Sequence, residues 1–200
     1  MTVSDPQKTV AQIQANPPVT QTGNTVHIGL AQADSNHGFF DNVSISYDVT
    51  VPAHTKVQAR SGSGDIGVAF NADGVEARTG SGDINVVGAT GGFLAQTGSG
   101  DVRAGRISGA LKASTGSGDI DAEQTTPGPV QLHTGSGDVT LKLPGEAGFS
   151  LNVHTGSGSI KTSQAVASIG SRDRHRLEGT VRGGGPPVEI RTGSGSVTIN

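Results

Sequence analysis

Apolar and polar residues alternate along much of this chain, and from Val57 onward the alternating stretches return at near-constant spacing. Before that point the signals stand alone. Val26, Ile28 and Leu30 alternate with polar neighbours after the turn signal Gly23-Asn24, which predicts a half-buried strand. Residues 43–51 set Val43, Ile45, Tyr47, Val49 and Val51 against Ser44, Ser46, Asp48 and Thr50, the longest strand signal in the chain. Nearer the start, Ser4-Asp5-Pro6 followed by Thr9-Val10-Ala11-Gln12-Ile13-Gln14 predicts a cap and about two turns of amphipathic helix over 9–15, ended by Asn16-Pro17-Pro18.

The recurring unit is clearest in Val75-Glu76-Ala77-Arg78-Thr79, then Gly80-Ser81-Gly82, then Asp83-Ile84-Asn85-Val86. It reads as strand, corner, strand. Near-copies of Thr-Gly-Ser-Gly-Asp-Ile begin at Ser61, Thr79, Thr97, Thr115, Thr134, Thr155 and Thr192, with steps of 18, 18, 18, 19, 21 and 37 residues. A fixed period of this size marks a solenoid. Aligned on the repeat, Val57, Val75, Phe93, Leu111, Val130, Leu151 and Val188 form one inward column, and Ile66, Ile84, Val102, Ile120, Val139, Ile160 and Val197 form another beyond the corner. Columns of this kind are what parallel coils stacked about 4.8 Å apart require. The two glycines in each corner answer a need for positive φ or for close approach of neighbouring coils.

Two other folds fit less well. A left-handed hexapeptide coil needs an aliphatic residue at every sixth position, and steps from Leu111 land on Ser117 and Glu123. An antiparallel sandwich gives no reason for the same residues to recur at 18. The expected fold class is therefore all-β: a single-domain parallel β-helix (β-solenoid) over 1–200 with an N-terminal helix, right-handed because parallel crossovers take that hand. Residues 1–18 form its helix and cap, 19–56 irregular first rungs, 57–162 the regular repeats, and 163–200 an irregular rung and the final repeat. In that irregular rung 175–181 supply a strand and 183–187 a turn.

Composition narrows what can hold such a fold together. There is no cysteine or tryptophan, aromatics are 3%, and glycine alone contributes 32 residues, so the core must be stacked Val, Ile, Leu, Ala and Thr. A net charge of −3 gives no general attraction to nucleic acid. No apolar run reaches the roughly 18 residues needed to span a bilayer, and residues 1–10 lack the regions of a signal peptide.

Asp65, Asp83, Asp101, Asp119 and Asp138 form a carboxylate column. At about 4.8 Å in water each adjacent pair costs on the order of 0.9 kcal/mol before screening, so something must offset it. Calcium is one candidate, because Gly- and Asp-rich β-rolls bind it between coils and carboxylates suit it. The roll motif, however, has two binding turns per 18 residues, and here the last two copies carry Ser159 and Ser196 instead of Asp. The other candidate is a hydrogen bond from a corner amide to each Asp, as in an Asx turn, a role serine can imitate. His133 and His154 share a column in repeats that follow one another, which offers two imidazoles to a transition metal without an identifiable third ligand. The corner threonines share the side of the inward residues, so they read as an internal hydroxyl ladder and not as an outward, ice-binding one.

Two outward columns remain: Arg60, Arg78, Gln96, Ser114, His133, His154, Arg191, and Gly67, Asn85, Arg103, Asp121, Thr140, Lys161, Thr198. Neither is uniformly basic or aromatic, which argues against nucleic-acid binding. Neither holds a clustered acid pair of the kind a glycoside hydrolase needs, and Gly-Ser-Gly-Asp is not a nucleophile elbow.

The repeats, the 43–51 segment leading through Pro52 into the first of them, and Gly183-Gly184-Gly185-Pro186-Pro187 before the last resemble a bacterial β-strand-repeat family of unknown function that carries an adhesin label. The resemblance covers nearly the whole chain. It implies a β-helical, extracytoplasmic or cell-envelope protein, often tethered through a membrane anchor this chain lacks, and it carries over no catalytic residues. The function expected is a non-enzymatic scaffold for cell-surface or protein contact, with no catalytic residue and no cofactor unless calcium is one. A carbohydrate-binding or carbohydrate-cleaving β-helix and a calcium-stabilised β-roll are the alternatives. Because the sequence stops at Asn200 directly after a repeat, it also predicts an uncapped C-terminal coil open to end-to-end self-association, or a further C-terminal segment.

Overall fold

A computed structural model of the chain describes residues 15, 18–29, 45–69 and 72–200. They belong to two compact units, Met1–Thr50 and Val51–Asn200. In the first, β1 (Val19–Thr22) and β2 (Thr25–Ile28) form an antiparallel hairpin with Val19 opposite Ile28 and a turn at Gly23, whose φ is +60°. The strand read from Val26 and Ile28 is present, but it is not half-buried, since these residues are 53% and 39% exposed. The expected helix over 9–15 lies outside the described residues except for Ala15. Residues 43 and 44 lie outside them too, and residues 45–51 form no strand. Tyr47 and Val49 are 48% and 46% exposed. Alternation makes a strand only where a ladder partner is available, and none pairs with this stretch among the described residues.

The second unit is a stack of two-stranded rungs. The first two rungs are β3 (Val57–Ser61) with β4 (Ile66–Val68) and β5 (Val75–Thr79) with β6 (Ile84–Ala89). They are followed by β7 (Phe93–Thr97) with β8 (Val102–Ser108) and by β9 (Leu111–Ser117) with β10 (Ile120–Thr126). Next come β11 (Val130–Ser136) with β12 (Val139–Lys142) and β13 (Phe149–Ser157) with β14 (Ile160–Thr162). A hairpin of β15 (Val166–Arg172) and β16 (Arg176–Val181) precedes the last rung, β17 (Pro187–Ser194) with β18 (Val197–Ile199). The leading strand of each rung enters one parallel sheet and the trailing strand enters another. The expected parallel β-solenoid is thus the fold of this unit.

Registers align the columns as the period requires. Val57 faces Val75, Val75 faces Phe93, Phe93 faces Leu111 and Leu111 faces Val130. Both sheets turn these aliphatic columns inward, and Ile84, Ile107, Leu132, Leu141, Phe149 and Ile190 are almost wholly buried. Each such side chain contributes about 1.5–3 kcal/mol by leaving water.

The rungs are not stacked in chain order. Strand β17 pairs in parallel with β11 on one side and with β13 on the other, and β18 lies likewise between β12 and β14. Val188 therefore separates Val130 from Leu151. To reach this slot the chain leaves β14, runs antiparallel along the far side of β13 as β16 with Val181 opposite Phe149, and crosses over the start of β13. Gly148 permits the crossing. A Cβ there would lie 2.4 Å from the carbonyl oxygen of Gly184. The strand expected over 175–181 is β16, and the Gly183–Pro187 turn is this crossover.

The uncapped final coil is corrected by this topology. The last repeat has a ladder partner on both edges, and the hairpin, not the last repeat, closes that end of the larger sheet. The inward columns hold interchangeable apolar residues in every repeat, so the sequence period is satisfied equally by chain order and by insertion.

Candidate functional site

The repeated hexapeptide concentrates the polar atoms of each corner and is the obvious candidate. Each corner threonine is buried, at 8% exposure for Thr79 and 0% for Thr134. Their hydroxyls donate to the second corner glycine of the adjoining rung: Thr97 to the Gly82 carbonyl at 2.9 Å, Thr115 to Gly100 at 2.9 Å, Thr134 to Gly118 at 2.9 Å. The same hydroxyl accepts the corner N–H three residues on, as Thr97 does from Gly100 at 3.2 Å. The internal hydroxyl ladder is present. Gly100 must be glycine because a Cβ would stand 2.0 Å from the Gly82 carbonyl oxygen.

The aspartates form a second ladder. Oδ1 of Asp65, Asp83, Asp101 and Asp119 accepts the backbone N–H of Asp83, Asp101, Asp119 and Asp138 at 2.8, 2.9, 3.0 and 2.8 Å. The partner is a corner amide, but it belongs to the next rung and not to the residue's own turn. A charged acceptor strengthens such a bond to roughly 1.5–3 kcal/mol, enough to offset the repulsion along the column. Arg103 adds to this with its guanidinium 2.9 Å from Asp101 and 3.7 Å from Asp83. Among the described residues no three His, Cys, Asp or Glu side chains converge as a metal-holding group. The calcium candidates Asp65, Asp83, Asp101, Asp119 and Asp138 therefore stand in line, one Oδ1 of each of them engaged by an amide.

The histidine pair is separated. His133 faces Arg191, and Arg191 faces His154, so a guanidinium-bearing strand stands between the imidazoles expected to be neighbours. The inserted repeat is the reason. Beyond His154 the same outward column continues with Arg176, which the period alone did not place there. Its spatial order is Arg60, Arg78, Gln96, Ser114, His133, Arg191, His154, Arg176.

Glutamates of the neighbouring column neutralise much of that stripe. Glu76 pairs with Arg60 at 3.0 Å and also with Arg78, Glu189 pairs with Arg191 at 2.7 Å, and Glu178 pairs with Arg176. The hydrogen bond that Arg176 donates to the Glu178 carboxylate, helped by that group's charge, holds the exposed guanidinium above its ordinary pKa. The outward column of the smaller sheet runs Gly67, Asn85, Arg103, Asp121, Thr140, Thr198, Lys161. A shallow hollow there is lined by Asp101, Arg103, Asp119, Asp121, Asp138 and Thr140.

One polar residue escaped notice in the sequence. Gln124 is 2% exposed at a position that continues the inward parity of Ile120 and Ala122. Its amide donates to the carbonyls of Gly109 at 2.7 Å and Gly128 at 3.2 Å, while Oε1 has no hydrogen-bond partner among the described residues. Parity was the signal that could have found it.

Comparison with curated proteins and with solved structures returned no match. The profile of the Toastrack DUF4097 family matches residues 95–200, from the strand β7 to the inserted last repeat, and the chain accordingly belongs to this family of unknown function.

Proposed function

We propose that this protein is a non-enzymatic β-solenoid scaffold whose outward faces make protein or cell-surface contacts at the bacterial envelope, in the manner of an adhesin. One observation carries the reading. The threonine hydroxyls, the aspartate Oδ1 atoms and the second corner glycine carbonyls of the repeated motif are engaged in bonds from one rung to the next. Repetition is thus accounted for by stacking, and what varies from rung to rung is the outward surface, where recognition would lie.

Binding of the labelled chain to intact bacterial cells and to an array of envelope glycans tests this. Saturable cell binding that falls with Arg191→Ala or Gln96→Ala, with the fold and melting temperature kept, is the expected result. Turnover of an acidic polysaccharide, abolished by Asp121→Asn, would replace the scaffold reading with a carbohydrate-active one.

A further inference from the structure

The slot filled by the last repeat has two walls that match each other. Val130, Leu132, Thr134 and Ser136 of β11 pair with Val188, Ile190, Thr192 and Ser194. Leu151, Val153, Thr155 and Ser157 of β13 pair with the same four residues from the other side. In the smaller sheet Val139 and Ile160 both pair with Val197. If β17 and β18 withdrew, β13 and β14 could close directly on β11 and β12 in the same register, with Thr155 taking the Gly137 carbonyl that Thr192 now binds at 3.0 Å. The amide of Ser159 would then meet the Asp138 carboxylate that the amide of Ser196 now binds at 2.7 Å. Withdrawal therefore leaves no gaping core.

The withdrawn repeat cannot remain free. Val188, Ile190, Val197 and Ile199 are each 0% exposed in place, and releasing all four into water is prohibitive. It must re-enter a slot of the same shape, and only another copy of the chain offers one besides its own.

The link to the repeat is built like a hinge under strain. Arg182, Gly183 and Gly184 are consecutive positive-φ residues at +48°, +82° and +89°, followed by Pro186 and Pro187. Positive φ is unfavourable for arginine. Here it is held while the guanidinium donates to the Ala147 carbonyl at 3.3 Å and to Gln164 at 3.4 Å. Short strained hinges favour exchange of the element they carry, because opening relieves the strain while the exchanged element restores every contact.

We infer that the last repeat, Pro187–Ser194 with Val197–Ile199, is an exchangeable rung. Its partner is a second copy of this chain, which accepts it between β11/β12 and β13/β14 in a reciprocal dimer. Everything beyond Arg182 moves with it.

The chain has no cysteine, so disulfide trapping reads this directly on the full 200 residues. His133 and Arg191 face each other across β11 and β17 and both are exposed, at a spacing a disulfide can bridge. Copies carrying His133→Cys are mixed with copies carrying Arg191→Cys, refolded together at high concentration and oxidised. Neither variant can form this bond within one chain. A covalent heterodimer well above the yield from a Lys112→Cys and Arg191→Cys mixture, whose positions are not ladder neighbours, is the expected result. Inserting Gly-Ser after Gly184 in the chain without introduced cysteines should lower the dimer fraction seen by light scattering several-fold, because a relaxed hinge favours closure within one chain. Heterodimer no more abundant than in the Lys112 control overturns the proposal. So does a chain that is monomeric at every refolding concentration, a measurement that needs no cysteine variant to fold.

Discussion

The backbone N–H of Ser196 donates to Oδ1 of Asp138 at 2.7 Å across 58 positions of sequence. It is the same bond that Asp138 makes through its own N–H to Asp119, so the last repeat enters the aspartate ladder as one more rung although it arrives from a distant part of the chain. Serine suffices there as the amide donor. The ladder ends at a residue without a carboxylate, which also spares Asp138 a like charge on that side.

Asp119 tests the balance within the ladder. Asp119→Ala removes the acceptor for the Asp138 N–H and should destabilise by about 1–2 kcal/mol. Asp119→Asn keeps an acceptor and removes repulsion from Asp101 and Asp138, on the order of 0.9 kcal/mol for each pair before screening. Its cost should therefore be near zero at low salt. Relief of repulsion is common to both variants and fades with salt, so urea unfolding at two ionic strengths separates it from the acceptor's contribution, and an Asn variant as damaging as Ala would mean that an amide oxygen cannot replace the carboxylate as acceptor for the Asp138 N–H.

The hydroxyl ladder makes a sharper demand because it is buried. Thr134 is 0% exposed and its hydroxyl donates to the Gly118 carbonyl. Thr134→Val preserves shape but leaves that oxygen without its donor, at a cost of about 1–3 kcal/mol. Chemical denaturation should show the loss in midpoint with an unchanged m-value; a neutral Thr134→Val would contradict the role given to the hydroxyl.

Glycine should matter by position in the stack and not by position in the motif. A Cβ on Gly98 would meet the Gly80 carbonyl oxygen at 2.3 Å, whereas one on Gly62, the equivalent glycine of the first copy, meets nothing within 4 Å among the described residues. Gly98→Ala is expected to cost upwards of about 2 kcal/mol by forcing rungs apart, and Gly62→Ala to stay within about 0.5 kcal/mol. Equal melting temperatures for the two variants would show that close approach of the rungs is not what requires glycine at Gly98.

Much of this architecture was legible because a period assigns residues to columns without any knowledge of neighbours. Val75, Phe93 and Leu111 had to share a face, and the parity of Thr79 had to turn it inward. Spatial order is different. Columns with interchangeable members do not say whether Val188 follows Leu151 or precedes it, and that ambiguity displaced both the separation of His133 from His154 and the expected open coil at Val197. The alternation over 45–51 makes no strand for another reason, since Tyr47 and Val49 show the pattern of a strand but have no ladder partner among the described residues. The aspartate column reads in the sequence as calcium ligands or as acceptors of corner amides; each Oδ1 does accept an amide, but local turn chemistry does not reveal that the amide belongs to the next rung.

Insertion itself makes a prediction that stacking in chain order does not. Ile190 is fully buried, with Leu132 on one side and Val153 on the other. Ile190→Ala should cost about 2–5 kcal/mol, as for other large-to-small changes in a packed core. Were the last repeat the end of a sequential stack, its loosening would spread to β13 alone and leave the ladder between β9 and β11 as the far side of an intact rung. With β17 between them, β11 and β13 both lose a wall. Hydrogen exchange should therefore show protection falling together in β11, β17 and β13, while the amides of β5 and β7, several rungs away, exchange as before. Loss confined to β13 and β17 would place the last repeat at the end of the stack and return His133 to the side of His154.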